Sequence, residues 1–154
     1  MKRFHYRLEA LLRRAEHVEQ TLQLELARWE QERNTALDHL TELSLLHKSL
    51  QRRLRELQHG DINLDRLAAV RFELERSELL AAHATRRCAE LETQVEQARQ
   101  LLLEAAQARQ GFEKHREGLA LVHRNELLAE EAKQLDDLAG RRPTLLHSRS
   151  GGPS

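Results

Sequence analysis

Proline is nearly missing from this 154-residue chain: it occurs only at Pro143 and Pro153, so no proline interrupts a helix over residues 1–142. Isoleucine occurs once, at Ile62, and the aromatic residues are Trp29, Tyr6, Phe4, Phe72 and Phe112. Strands draw on β-branched and aromatic side chains, and their scarcity excludes a β domain. The one cysteine, Cys88, has no partner for an internal disulfide. The opening Met1-Lys2-Arg3-Phe4-His5-Tyr6-Arg7 carries charge where a secretion signal has an apolar run. The expectation is a reduced, cytoplasmic protein. Long apolar runs are absent as well. Leu101 to Leu103 is flanked by Gln100 and Glu104, far short of the ~20 residues a membrane span needs. Net charge is zero, with 25 Lys plus Arg against 25 Asp plus Glu, which leaves no global field to gather nucleic acid or an anionic membrane.

What remains is leucine, alanine, glutamate, glutamine and arginine, the composition of long helices. With 32% of residues charged and few bulky side chains, there is too little apolar volume for a multilayer core, and an extended all-α structure is expected. From Phe4 the apolar residues step by fours and threes through Leu8, Leu11, Ala15, Val18 and Leu22, the spacing of a coiled-coil seam. One heptad column, Leu8, Ala15, Leu22, Trp29, Ala36, Leu43, Leu50 and Leu57, is apolar throughout. Its companion is broken by Glu25, Glu32, His39 and Arg53, while Leu26, Leu40 and Leu54 stand one residue later. The stripe therefore slides around the helix, as a 3.6-residue period requires.

The pattern breaks at His59-Gly60-Asp61. Gly60 suits a left-handed helix cap, and Asp61 or Asn63 can accept hydrogen bonds from the free amides of a second helix. That helix carries Leu67, Val70, Leu74, Ala81, Ala84, Cys88, Leu91, Val95, Ala98, Leu102, Ala105, Phe112 and Leu119. The expected organisation is one domain over residues 1–140, with a helix over 4–58, a turn over 59–62 and a helix over 63–139, followed by a disordered tail over 141–154. A tight turn makes the helices antiparallel, so the fold class is all-α: two long helices in an antiparallel coiled-coil hairpin. With the turn at Gly60, Phe4 and Tyr6 fall beside Phe112 to Leu119, and Trp29 falls beside Leu91 and Glu92. The second helix then outruns the first by about 20 residues, an overhang of ~30 Å. Its stripe of Leu121, Leu128, Leu135 and Leu138 lacks a partner within the chain. Such a stripe is what another protein covers; folding back, fraying or pairing with a second copy are the alternatives.

Catalytic and metal chemistry find little support. No two of the nine histidines lie three or four residues apart, so no helical face offers two metal ligands at helical spacing. Gly111 and Gly118 lie within a helical pattern and Gly151-Gly152 in the tail, so there is no phosphate-cradling loop. A thin hairpin has no pocket to exclude water around a carboxylate. Cys88 shares the register of Leu74, Ala81 and Val95 and reads as a small packing residue. The two helical glycines, seven residues apart, read as sites of close packing or simple tolerance, with a hinge as the other reading. No enzyme activity, cofactor, metal or small-molecule substrate is expected.

Three segments carry a family resemblance. Phe4-His5-Tyr6-Arg7-Leu8-Glu9-Ala10-Leu11-Leu12 resembles the aromatic-x-aromatic-x-Leu-x-x-Leu-Leu opening of the flagellar export protein FliJ family. Phe112-Glu113-Lys114-His115-Arg116-Glu117 resembles its Phe-Glu-Lys-x-Arg-Glu segment, and Lys133-Gln134-Leu135-Asp136-Asp137-Leu138-Ala139 resembles its C-terminal Lys-x-hydrophobic-Asp-Glu/Asp-hydrophobic-Ala ending. The order and spacing agree, and the three segments cover both ends of a two-helix chain.

The resemblance implies an antiparallel two-helix coiled coil similar to the central stalk of rotary ATPases. Such a stalk sits in the hexameric flagellar export ATPase, links it to the membrane-embedded export gate and helps cycle export chaperones. The residues it implies for ring binding are Phe4, Tyr6, Leu8, Leu11, Leu12, Leu128, Lys133, Leu135, Asp136, Asp137 and Leu138. Gate contact in the family belongs to the start of the second helix. There this chain reads Val70-Arg71-Phe72-Glu73-Leu74 where many members carry a Tyr-Gln-Gln-Phe-like run, so Val70, Phe72 and Leu74 are the gate candidates. The implied location is the cytoplasm, peripheral to the export apparatus of the inner membrane. Two rivals stay open: the equivalent stalk of a virulence type III secretion system, and a homodimeric coiled-coil scaffold whose overhangs zip together.

Overall fold

The computed structural model describes residues 2–141. Among them it contains two helices and no strand: α1, Glu9–Leu57, and α2, Leu64–Arg141. The fold is all-α, two long helices packed against each other. The chain divides into two compact units, one of Glu16–Gln107 and one that joins Met1–Ala15 to Ala108–Ser154. The tail expected over 141–154 lies outside the described residues except for Arg141, which is the last residue of α2.

In the unit of residues 16–107 the helices run antiparallel from a turn that contains Gly60. Gly60 has φ +78°, the left-handed conformation expected of a helix cap, which side chains with a Cβ adopt only under strain. Asn63 caps α2. Its Oδ1 accepts from the amides of Asp65 at 3.1 Å and Arg66 at 3.4 Å, and its carbonyl accepts from Leu67 at 3.1 Å. Asn63 rather than Asp61 thus satisfies the free amides that any helix start exposes.

The seam of this unit has two columns on each helix. On α1 the first is Leu22, Trp29, Ala36, Leu43, Leu50 and Leu57, all buried or half-buried. The second is Glu19, Leu26, Arg33, Leu40, His47 and Leu54, four residues after the first column. The expected seam passed through Leu11 and Val18 and then slid to Leu26, Leu40 and Leu54; those three lie in this column, but the first part is corrected, since Leu11 and Val18 are more than 40% exposed. On α2 the columns are Leu67, Leu74, Ala81, Cys88, Val95, Leu102 and Val70, Ser77, Ala84, Leu91, Ala98, Ala105. The core is densest at Leu91 and Val95, which are 2% and 0% exposed.

Polar seam residues set the register. Ser77, 2% exposed, donates to the Leu74 carbonyl at 2.8 Å and lies 2.8 Å from His47 Nδ1. A polar contact of this kind penalises a slipped pairing, which would take the His47 nitrogen away from the serine oxygen. Arg33 NH1 reaches Glu92 at 3.6 Å, and the pairs Arg87 with Glu32 and Arg99 with Glu30 span 3.8 and 3.6 Å. These pairs scatter by about a helical turn around the pairing expected for a turn centred on Gly60, as long side chains allow. Half-exposed ion pairs of this type are worth little, ~0.2–1 kcal/mol each, so the packed columns carry the stability.

Gly111 and Gly118 have open space where a Cβ would stand, with nothing within 4 Å. Close packing does not explain them. Gly111→Ala and Gly118→Ala are expected to stabilise the chain by about 0.5–1 kcal/mol each in urea unfolding, since alanine is the better helix former. Gly60→Ala should do the opposite, by about 1–2 kcal/mol, because of its positive φ.

Candidate functional site: the end built from residues 2–15 and 108–141

In the second unit, α2 from Ala108 onward is partnered first by the start of α1 and then by an extended segment. Residues 4–8 were expected to be helical, and this too is corrected: α1 begins at Glu9, and Lys2 to Leu8 lie outside it. Tertiary contacts override the local pattern here. The Tyr6 side chain is 4% exposed, and its hydroxyl donates to the Phe112 carbonyl at 3.4 Å and lies 2.8 Å from His115 Nδ1. The two rings meet edge-on with centroids 5.7 Å apart. Eight residues further along α2, His123 takes the next hold. Its Nε2 donates to the Lys2 carbonyl at 3.1 Å, and its ring lies 5.6 Å from that of Phe4. A buried tyrosine needs a partner for its hydroxyl, and an extended segment can deliver that hydroxyl to α2. The Tyr6 carbonyl then accepts from the Glu9 amide at 3.2 Å as α1 starts.

Behind this segment Leu12 is fully buried, and Leu8 and Ala15 are half-buried. Arg116 spans to Glu9 at 3.6 Å, and Arg109 pairs with Glu113 at 2.8 Å on its own helix. A shallow, largely apolar groove is lined by Leu8, Ala108, Gly111, Phe112 and His115. A second groove, mostly polar, runs past Lys2 and His123 along Leu127, Glu130, Glu131 and Gln134. Beyond it every residue from Leu128 to Arg141 is exposed. Leu121, Leu128, Leu135 and Leu138 are 58%, 54%, 67% and 61% exposed, so the stripe expected to lack a partner has none among the described residues. The surface is a helix that projects past its partners, about 27 Å long from residue 124 to 141, with leucines among Glu126, Glu130, Glu131, Asp136 and Asp137.

No group of three or more His, Cys, Asp or Glu side chains among the described residues is placed to hold a metal ion. No helix among them is long and apolar enough to cross a membrane. Among the described residues the arrangement is an exposed leucine stripe beside two shallow, open grooves. A family model described as Flagellar FliJ protein matches residues 4–145, from the extended segment through the projecting helix. The chain belongs to the FliJ family. It is thus a coiled-coil protein of flagellar protein export by the type III route, in a family of non-catalytic components of the export apparatus. No curated protein and no solved structure matches it.

Within this FliJ-family chain the residues implied for ring binding divide into two sets. Tyr6 and Leu12 are buried, Phe4 and Leu8 half-buried; these hold the N-terminal segment against α2. Leu11, Leu128, Lys133, Leu135, Asp136, Asp137 and Leu138 point outward and are exposed. The N-terminal motif lies against Phe112 to His123, so Lys133 to Ala139 projects beyond it. Of the gate candidates Val70 is buried, Leu74 half-buried and Phe72 68% exposed. His115 and His123 escaped sequence reasoning because histidines were weighed by their spacing from one another. Their partners, Tyr6, Lys2 and Phe4, lie more than a hundred residues away, and no local signal marks them.

Burial separates packing from presentation. Leu12→Ala is expected to lower thermal stability by about 2–4 kcal/mol, whereas Leu135→Ala and Leu138→Ala should stay within about 0.5 kcal/mol of the parent. Calorimetric unfolding of the three variants measures the contrast.

Proposed function

We propose that the chain is a non-catalytic stalk of the flagellar export apparatus, which binds the export ATPase hexamer through the end built from residues 2–15 and 108–141. The observation that carries this reading is the leucine stripe of residues 121–138, exposed on a helix already formed. A helix of this kind seats in an apolar groove by residues spaced three, four and seven apart. The acidic residues among the leucines favour basic side chains at the rim of that groove. Membership of the FliJ family supplies the system to which such a groove belongs.

The mechanism is differential binding. A single helix inside a ring touches its subunits unequally, and whichever ring conformation it holds best is populated at the expense of the others. Ring assembly and ATP turnover follow that population, with no chemistry by the stalk itself. Phe72, with Val70 and Leu74 as its packing base, is the contact offered to the export gate, and the export chaperones are the further protein partners. The stalk works in the cytoplasm, peripheral to the inner membrane.

Co-purification with the export ATPase, followed by ATPase rates with and without the chain, tests the reading. The double replacement Leu135→Asp and Leu138→Asp should abolish stimulation while the circular dichroism of the chain stays helical. Full stimulation by that variant would remove the projecting helix from the docking surface. A dimer that forms with rising concentration, and that the same two replacements dissolve, would favour the scaffold instead.

A further inference from the structure

The side chains implied for ring contact include Phe4 and Tyr6, yet in the free chain Tyr6 is 4% exposed and Phe4 half-buried. A partner cannot hold a ring that α2 already covers. The segment bearing them is fastened at two points. His115 Nδ1 lies 2.8 Å from the Tyr6 hydroxyl, and His123 donates to the Lys2 carbonyl at 3.1 Å while its ring lies against Phe4. Between these points the segment forms no helix, although Phe4, Leu8 and Leu12 stand four residues apart, a spacing that would place all three on one face of α1 if it were wound further upstream. The same residues thus have two compatible states: extended and fastened to α2, or released and added to α1 as further helical turns.

We infer that Lys2–Leu8 is a displaceable strap, latched by His115 and His123, that sequesters Phe4 and Tyr6 in the free chain and swings off α2 when a partner seats on this end. The inference rests on the proposed docking of this end to the export ATPase. Energetically the strap is an autoinhibitory contact. The apparent affinity of the partner is its intrinsic affinity scaled by the fraction of chains with the strap released. The latch residues touch only the fastened state, so removing them shifts the balance toward release without altering any side chain assigned to docking.

Tyr6 is the sole tyrosine, so 3-fluorotyrosine in the full chain places one fluorine reporter on the strap. The double variant His115→Ala and His123→Ala, on a helix that alanine favours, should move its resonance toward that of a solvent-exposed tyrosine. The same variant should bind the export ATPase about tenfold more tightly than the parent. In the complex, the parent's resonance should leave its buried position too. An unmoved resonance in the variant overturns the latch assignment, and an unmoved resonance in the parent complex overturns displacement. A released strap with unchanged or weakened binding overturns autoinhibition. If the parent binds and the Leu135→Asp, Leu138→Asp variant does not, the docking reading survives each of those results; if the parent itself fails to bind the ATPase, both fall together.

Discussion

The structure depends on the alternation of three- and four-residue steps that keeps two columns of side chains facing an antiparallel neighbour. Neither helix can bury its stripe alone, and a helix this rich in charge gains its stability from the face it covers. At Leu91 and Val95 the columns meet with essentially no solvent, and there each removed methylene would be felt most. Ion pairs along the flanks, such as Arg99 with Glu30, trim the surface. The buried contact of His47 with Ser77 does a different job, since it distinguishes the observed register from its neighbours.

Much of this was legible in the sequence. The column from Leu8 to Leu57, the left-handed Gly60 and nearly every apolar seam residue of α2 follow from spacing and turn chemistry. The second column of α1 was legible only in part, through Leu26, Leu40 and Leu54, and the reason is physical. Glu19, Arg33 and His47 occupy the rest of it, so near the start of α1 hydropathy points to Leu11 and Val18, which the structure leaves exposed. Long polar side chains enter a seam by laying their stems across it and sending the charge outward. A two-helix seam, open on both sides, allows this far more readily than a closed core.

The candidate site divides in the same way. The exposed stripe from Leu121 to Leu138 was readable because it is a property of one helix and of where its partner stops. The extended course of Lys2 to Leu8 was not, because its residues satisfy a helical pattern as well as any others. What decides against the helix is a contact more than a hundred residues away in the chain, between the Tyr6 hydroxyl and the His115 ring, with the Phe112 carbonyl beside them. Local propensity is a weak prior where a tertiary contact of this kind is on offer.

The projecting helix is also the continuation of one whose earlier turns are already formed and packed. An isolated peptide of its length would spend most of its time unwound, because initiating a helix is the unfavourable step. Here initiation has happened upstream, and Ala, Leu, Glu, Gln and Lys propagate it to Arg141. A partner of the proposed kind would meet a preformed helix instead of a coil that must be wound at the moment of capture. The entropy usually lost in that winding stays available as grip.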